Sequence, residues 1–204
     1  MQNIENIIFD LGGVLLDIDY NQTRVAFENL GISRFDEMYS QANADKLFQK
    51  LETGTISEED FYEELNRAAG LQLSPEEIKQ AWNAMLLNFR EESLNFLGEI
   101  KDKYKIFLLS NTNKIHLTSF NKTFHQKKRE KPFESYFNKA FYSFEIGMRK
   151  PDVECYEWVL KDLKIDPQKT LFIDDSIKNI EEAEKAGLHT LLLSPEKRIE
   201  TAGL

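Results

Sequence analysis

Four short segments of this chain carry residue types that can do chemistry together: Asp10-Leu-Gly-Gly-Val14, Ser110-Asn-Thr-Asn113, Gly147-Met-Arg-Lys-Pro151 and Asp174-Asp-Ser-Ile-Lys-Asn179. Taken singly, each has an ordinary explanation. Asp10 suits a turn, Ser110 is a common hydroxyl after a strand, and Asp174 with Asp175 suits the start of a helix. In combination they supply a carboxylate, a hydroxyl, a lysine and a carboxylate pair. Carboxylates brought together repel one another, and a hard divalent cation relieves the repulsion. Mg2+ takes oxygen ligands and keeps waters that phosphate can replace. Such an ion also draws in an anionic group that an acidic protein would repel. Lys150, the Ser110 hydroxyl and the backbone N–H groups around residues 110 to 112, Asn111 among them, suit the remaining phosphoryl oxygens. Asp10 is then placed to attack phosphorus and form an aspartyl-phosphate. The set predicts phosphoryl transfer on a small phosphorylated metabolite.

The segments must be positioned by something, and the apolar pattern says what. Short runs at Ile4–Phe9, Lys105–Leu109, Lys139–Tyr142, Thr170–Ile173 and Thr190–Leu193 read as strands. Amphipathic stretches at Asn113–His125, Pro151–Leu163 and Ser176–Ala186 read as helices between them. Strand and helix in alternation predict an α/β fold, a parallel sheet covered on both faces, with ligands bound beyond the carboxyl ends of the strands. All four chemical segments fall at that rim.

Residues 17 to 90 break the rhythm and read as helical throughout. Ser57-Glu-Glu-Asp60 and Ser74-Pro-Glu-Glu77 are helix starts, followed by Phe61, Leu65 and Ala68, and by Ile78, Ala81, Trp82, Met85 and Leu86, at helical spacing. Tyr20–Leu30 and Phe35–Leu51 supply two earlier helices, and Gly54 and Gly70 stand where helices would stop. This stretch holds fourteen acidic and seven basic residues, so it carries −7 of the net charge of −9 set by 26 Lys plus Arg against 35 Asp plus Glu in 204 residues. An acidic balance argues against nucleic acid as a partner. No apolar run is long enough for a membrane span or reads as a signal peptide. The single Cys155 fits a reducing, cytoplasmic setting. His116, His125 and His189 are expected in surface or helix-face roles. Trp82 and Trp158 are expected to pack in the inserted segment and the core, Cys155 to be buried, and Gln126–Lys131 to form a solvated basic loop.

Phe9-Asp10-Leu-Gly-Gly-Val-Leu15, Leu108-Leu-Ser110-Asn111, Gly147-Met-Arg-Lys150-Pro-Asp152 and Phe172-Ile-Asp174-Asp175-Ser176 with Asn179 resemble the four signature motifs of the haloacid dehalogenase-like hydrolase superfamily, in order and across nearly the whole chain. The resemblance implies a three-layer, Rossmann-like core from residues 1–16 and 91–204, with an α-helical cap of the C1 type inserted at 17–90. It implies Asp10 as nucleophile, Ser110 and Lys150 on the phosphate, and Mg2+ held by Asp10, the Gly12 carbonyl and Asp175. Asp174, supported by Asn179, would orient a metal-bound water or Lys150.

One position departs from the pattern. Phosphatases of the superfamily carry a second Asp two residues after the nucleophile as general acid and base, and here that residue is Gly12. Loss of such a group costs about 10²–10⁴-fold in rate when the leaving group is basic. An Mg2+-dependent phosphomonoesterase favouring less basic leaving groups is therefore expected. Asp17, Asp19 and a metal-bound water are the candidates for activating the hydrolytic water. Dehalogenases of the superfamily also lack the second Asp but work without metal, which would leave Asp174 and Asp175 uncompensated. A catalytically weakened member that binds a metabolite or partner is the other alternative. Asp-Leu-Gly-x-Val, Gly-Met-Arg-Lys-Pro and Asp17-Ile-Asp19-Tyr20 together resemble bacterial sugar phosphatases, including those acting on α-D-glucose 1-phosphate, whose anomeric oxygen is a comparatively good leaving group.

Overall fold

A computed structural model of the protein describes residues 3–33, 35, 44–127, 129 and 131–204. In chain order the elements are β1 (Asn6–Phe9), β2 (Leu16–Ile18), α1 (Tyr20–Asn29), α2 (Ala44–Glu52), α3 (Glu58–Ala69), α4 (Pro75–Asn83), β3 (Leu86–Phe89), α5 (Glu91–Ile100), β4 (Lys105–Ser110), α6 (Lys114–Gln126), β5 (Lys139–Tyr142), α7 (Ser143–Ile146), α8 (Val153–Leu163), β6 (Thr170–Asp174), α9 (Ile177–Lys185) and β7 (His189–Leu192).

Alternation within the apolar runs builds two cores on one sheet. Ile7, Phe9, Ile106, Leu108, Leu171 and Ile173 pack on one face with Leu94 and Leu97 of α5 and Phe120 and Phe124 of α6. Ile8, Phe107, Leu109 and Phe172 pack on the other with Cys155, Tyr156 and Val159 of α8 and Ala183 of α9. A strand buried on both faces has no polar side to present, which is why these runs are nearly continuous in apolar residues. The strands pair in parallel in the order β5-β4-β1-β6-β7. This is the expected three-layer, Rossmann-like α/β fold. Central β1 pairs with both β4 and β6, so Asp10, Ser110 and Asp174 leave the sheet at one rim.

The inserted helices have a core of their own. Phe27, Phe48, Leu51, Phe61, Leu65, Ile78 and Trp82 cluster there, and the rings of Phe48 and Trp82 lie 4.7 Å apart. Ser57 Oγ accepts from the Asp60 N–H at 3.0 Å, and Ser74 forms a reciprocal capping box with Glu77. Gly70 ends α3 at φ 67°, where a residue with a Cβ is strained.

One expectation about this segment changes. The segment is not helical throughout: α4 ends at Asn83, and β3 pairs antiparallel with β2 as a two-stranded ribbon. Thr23 explains the early stop, because its hydroxyl donates to the Trp82 carbonyl at 3.0 Å and accepts from the Met85 N–H at 3.1 Å, serving backbone groups the helix no longer satisfies. Of the stretch Phe35–Leu51, the structure describes helix from Ala44 onward, and 36–43 lie outside the described residues. Lys128 of the basic loop does too.

Elsewhere, α5 is a helix the pattern reading passed over, and α8 begins at Val153 rather than Pro151. Trp158 is 38% exposed at the edge of Phe141 and not part of the core, whereas Cys155 is fully buried as expected. Among the described residues, no helix is long and apolar enough to cross a membrane.

Candidate active site

The rim gathers a buried charge cluster. Asp10 follows β1, its N–H donating to Ile173 O at 2.9 Å, and its Oδ1 accepts from Lys150 Nζ at 2.6 Å. The same ammonium donates to Asp174 Oδ2 at 2.7 Å and is 1% exposed. Asp174 also accepts from the Ser176 N–H at 2.8 Å and from Asn179 Nδ2 at 3.0 Å, so its oxygens are engaged by neighbours on every side. Phe172 closes the cluster from below, its ring centroid 5.3 Å from Nζ.

Burial pushes the Asp10 carboxyl up to about 7, with Asp174 and Asp175 adding to the rise against the pull of Lys150. Asp175 is raised by burial and by Asp174. Burial works to lower the Lys150 pKa, but Asp10 and Asp174 overcome it and leave it raised. Asp10 and Asp174 share one ammonium, with the Asp175 carboxyl close by. Each of Asp10, Asp174 and Asp175 offers an oxygen, and these oxygens lie within 4.8 Å of one another. An all-oxygen set with surplus negative charge suits a hard divalent cation.

Backbone shape completes the place. Leu15 and Leu16 N–H both donate to Leu11 O, closing a tight turn after Asp10. Within it Gly13 adopts φ +69°, and a Cβ there would fall 1.9 Å from Asp175 Oδ2. Only glycine lets the turn approach that carboxylate. At Gly12 the obstacle is different: a Cβ would stand 3.9 Å from Asp10 Oδ2 but 2.3 Å from Ile18 Cδ1. The methyl end of Ile18 takes the room that a side chain at position 12 would need.

Asn111 and Thr112, next to Ser110, both line the cleft and both hold neighbouring segments in place. Asn111 Nδ2 donates to Lys150 O at 2.7 Å and its Oδ1 accepts from Lys150 N–H at 2.9 Å, so Asn111 clamps the lysine's backbone. The Thr112 N–H donates to Ser143 Oγ at 2.9 Å. Ser143 was not singled out by sequence; it sits 31 residues away and no local spacing announces it. Ser110 is buried at the end of β4 and lines the cleft.

The candidates for activating water are also engaged: Asp17 Oδ1 pairs with Arg90 Nε at 2.7 Å, and Asp19 caps α1 by accepting from the Asn21 N–H at 2.9 Å. His125 and His189 are exposed as expected, but His116 is buried, its ring 4.7 Å from Trp82 and Nε2 3.2 Å from the Trp82 carbonyl. Burial pulls its pKa down to about 4, leaving a neutral imidazole.

A cleft of about 590 Å³ opens over the cluster. Its floor holds Asp10, Ser110, Lys150 and Asp175, and its far wall is formed by Ile18, Tyr20, Glu52, Trp82, Met85 and Leu86. Arg149 Nε and Glu52 Oε2, 2.9 Å apart, bridge the two sides.

Comparison with known proteins agrees with this geometry. Residues 4–187 match the haloacid dehalogenase-like hydrolase family. A D-ribitol-5-phosphate phosphatase of Bacteroides thetaiotaomicron is 33% identical over 187 residues, covering 92% of this chain and 90% of the relative. A sesquiterpene phosphatase of Aspergillus oryzae is 31% identical over 192 residues, covering 92% and 88%. A solved structure of an enzyme of this family from Bacteroides thetaiotaomicron, in complex with magnesium and inorganic phosphate, superposes with a TM-score of 0.90 at 32% identity, covering 98% of this chain and 100% of that one. With the parallel sheet, the four segments at its rim and these likenesses together, the chain belongs to the haloacid dehalogenase-like hydrolase family.

Proposed function

We propose that this protein is an Mg2+-dependent phosphomonoesterase acting on a small phosphorylated sugar or sugar alcohol, with Asp10 as the nucleophile. The observation that carries the reading is the convergence of Asp10, Asp174 and Asp175 at the floor of the cleft, with Lys150 bonded to the first two. The relative named as a D-ribitol-5-phosphate phosphatase supports the substrate class, and the sesquiterpene phosphatase supports phosphatase activity alone.

Asp10, the Gly12 carbonyl and Asp175 would hold Mg2+, while Asp174 is already occupied in fixing Lys150. The ion supplies charge neutralisation that lets a phosphate dianion approach carboxylates. Ser110 and Lys150 bind phosphoryl oxygens. The Asp10 carboxylate attacks phosphorus, the P–O bond to the leaving group breaks, and water later returns the phosphoryl group as inorganic phosphate. Residues 17–90 act as a cap over a core of 1–16 and 91–204, and Ile18, Trp82, Met85 and Leu86 give its wall of the cleft a largely apolar surface.

The Ile18–Gly12 packing supports a preference for leaving groups that depart without a proton from position 12, among them an anomeric phosphate such as α-D-glucose 1-phosphate. The neutral, buried His116 does not replace the missing acid.

Phosphate release from α-D-glucose 1-phosphate, D-ribitol 5-phosphate and farnesyl phosphate, each with Mg2+ and with EDTA, tests the proposal. Mg2+-dependent turnover of a sugar or sugar-alcohol phosphate is expected. No release from either, or release unaffected by EDTA, would overturn it.

A further inference from the structure

One side chain joins the turn after Asp10 to both strands that carry the inserted helices. Arg90 directly follows β3, its side chain is 10% exposed, and its Nε donates to Asp17 Oδ1 of β2 at 2.7 Å. Its Nη1 donates to the carbonyls of Gly13 and Val14, the latter at 3.2 Å. Its own N–H donates to Leu15 O at 2.9 Å. The outgoing strand, the returning strand and the turn that leads from Asp10 into the first of them are thus tied at a single guanidinium. That turn is the one whose Gly13 lies against Asp175 and whose Gly12 lies beside Asp10. A shift of a few tenths of an ångström in it would move one wall of the carboxylate cluster.

Guanidinium geometry matters here. Arg presents several N–H donors in a fixed plane, and three acceptors on two chain segments can be satisfied only by such a fork. A lysine would reach one or two of them as a point charge.

We propose that Arg90 is a positioning residue: it fixes the Gly13 and Val14 carbonyls, and through that turn the neighbouring Gly12 carbonyl and the Mg2+ site, in register with the strands that carry the cap. The proposal rests on the Mg2+-dependent reading above. Partners that orient a metal site without touching the metal typically contribute about 10–100-fold in metal affinity.

The test is Mg2+ titration calorimetry on the intact protein without substrate, with melting temperature in EDTA and steady-state kinetics alongside. Arg90→Met, which keeps length but removes every donor, should weaken Mg2+ binding by about tenfold or more. Arg90→Lys should fall between it and wild type, and carries the test if Arg90→Met does not fold. Asp17→Ala removes only the strand arm, so Mg2+ affinity should stay within about threefold, because the carbonyl arms remain. Mg2+ affinity within twofold of wild type in both Arg90 variants, with only the melting temperature lowered, would reduce Arg90 to a structural staple and overturn the proposal. A wild type that binds no Mg2+ would instead overturn the underlying phosphatase reading.

Discussion

Lys150 at the sheet rim and Phe61 in the inserted helices are both hidden from water, yet they are held by opposite means. Lys150 sits between two carboxylates at 2.6 and 2.7 Å, with Asn111 clamping its backbone and Asn179 fixing one of its partners. Phe61 sits among Phe48, Tyr62 and Trp82 at ring distances of 5.6 to 6.4 Å. Ion pairing in a dry place stabilises little in net, because desolvation offsets attraction, but it tolerates almost no displacement. Apolar packing is favourable throughout and less particular about direction. The rim therefore spends stability on position, and the insertion supplies stability and a wall.

The two regions should respond differently to damage. Lys150→Met leaves Asp10 and Asp174 adjacent, buried and unpaired, which costs about 3–5 kcal/mol of folding free energy. Turnover should vanish as well, and urea denaturation beside phosphate release would record both. Phe61→Ala should cost about 3–4 kcal/mol through the cavity it leaves. Its Mg2+ affinity, measured calorimetrically below the melting transition, should nonetheless match wild type. If it did not, the separation of the two regions would be wrong.

His116 sharpens the boundary between them, since it belongs to core helix α6 but stacks on Trp82 of α4. Its pKa is held near 4 in the folded chain against 6.5 ordinarily, so the unfolded chain binds the extra proton between those values. Stability from the neutral ring is complete above about pH 6.5 and is lost as pH falls toward 4, about 3 kcal/mol in all. Comparing denaturation midpoints of wild type and His116→Gln from pH 4 to 7 would isolate this, with a flatter profile expected for the variant. The smallest effect should come from Ser74→Ala, which removes one helix cap in the insertion and costs about 1 kcal/mol with no change in kcat.

Much of the rim was legible in the chain because its logic is local. Buried strands announce themselves as apolar runs, and Asp10, Ser110 and Asp174 stand where those runs end. Ser57 and Ser74 likewise declare helix starts within four residues. What stayed hidden depends on contacts between distant segments. Ile18 filling the space beside Gly12, Ser143 taking the Thr112 N–H, and Arg90 reaching Gly13 across 77 positions follow from how elements pack, not from spacing. The β2–β3 ribbon escaped for a related reason: three residues of β2 are too few to alternate, and Leu86 continues a helical repeat that Thr23 cuts short. Trp158 shows the same limit, as residue type alone placed inside a ring that is 38% exposed.

The central claim is that Asp10 carries the phosphoryl group. Rapid acid quench during steady-state turnover of the best sugar phosphate with Mg2+, followed by mass spectrometry of the peptide containing Asp10, tests it directly. Phosphoryl mass on Asp10 in the wild type, absent in Asp10→Asn together with turnover, is the predicted result. Sustained phosphate release by Asp10→Asn at the wild-type rate, with no phosphoryl group recovered on either protein, would contradict it.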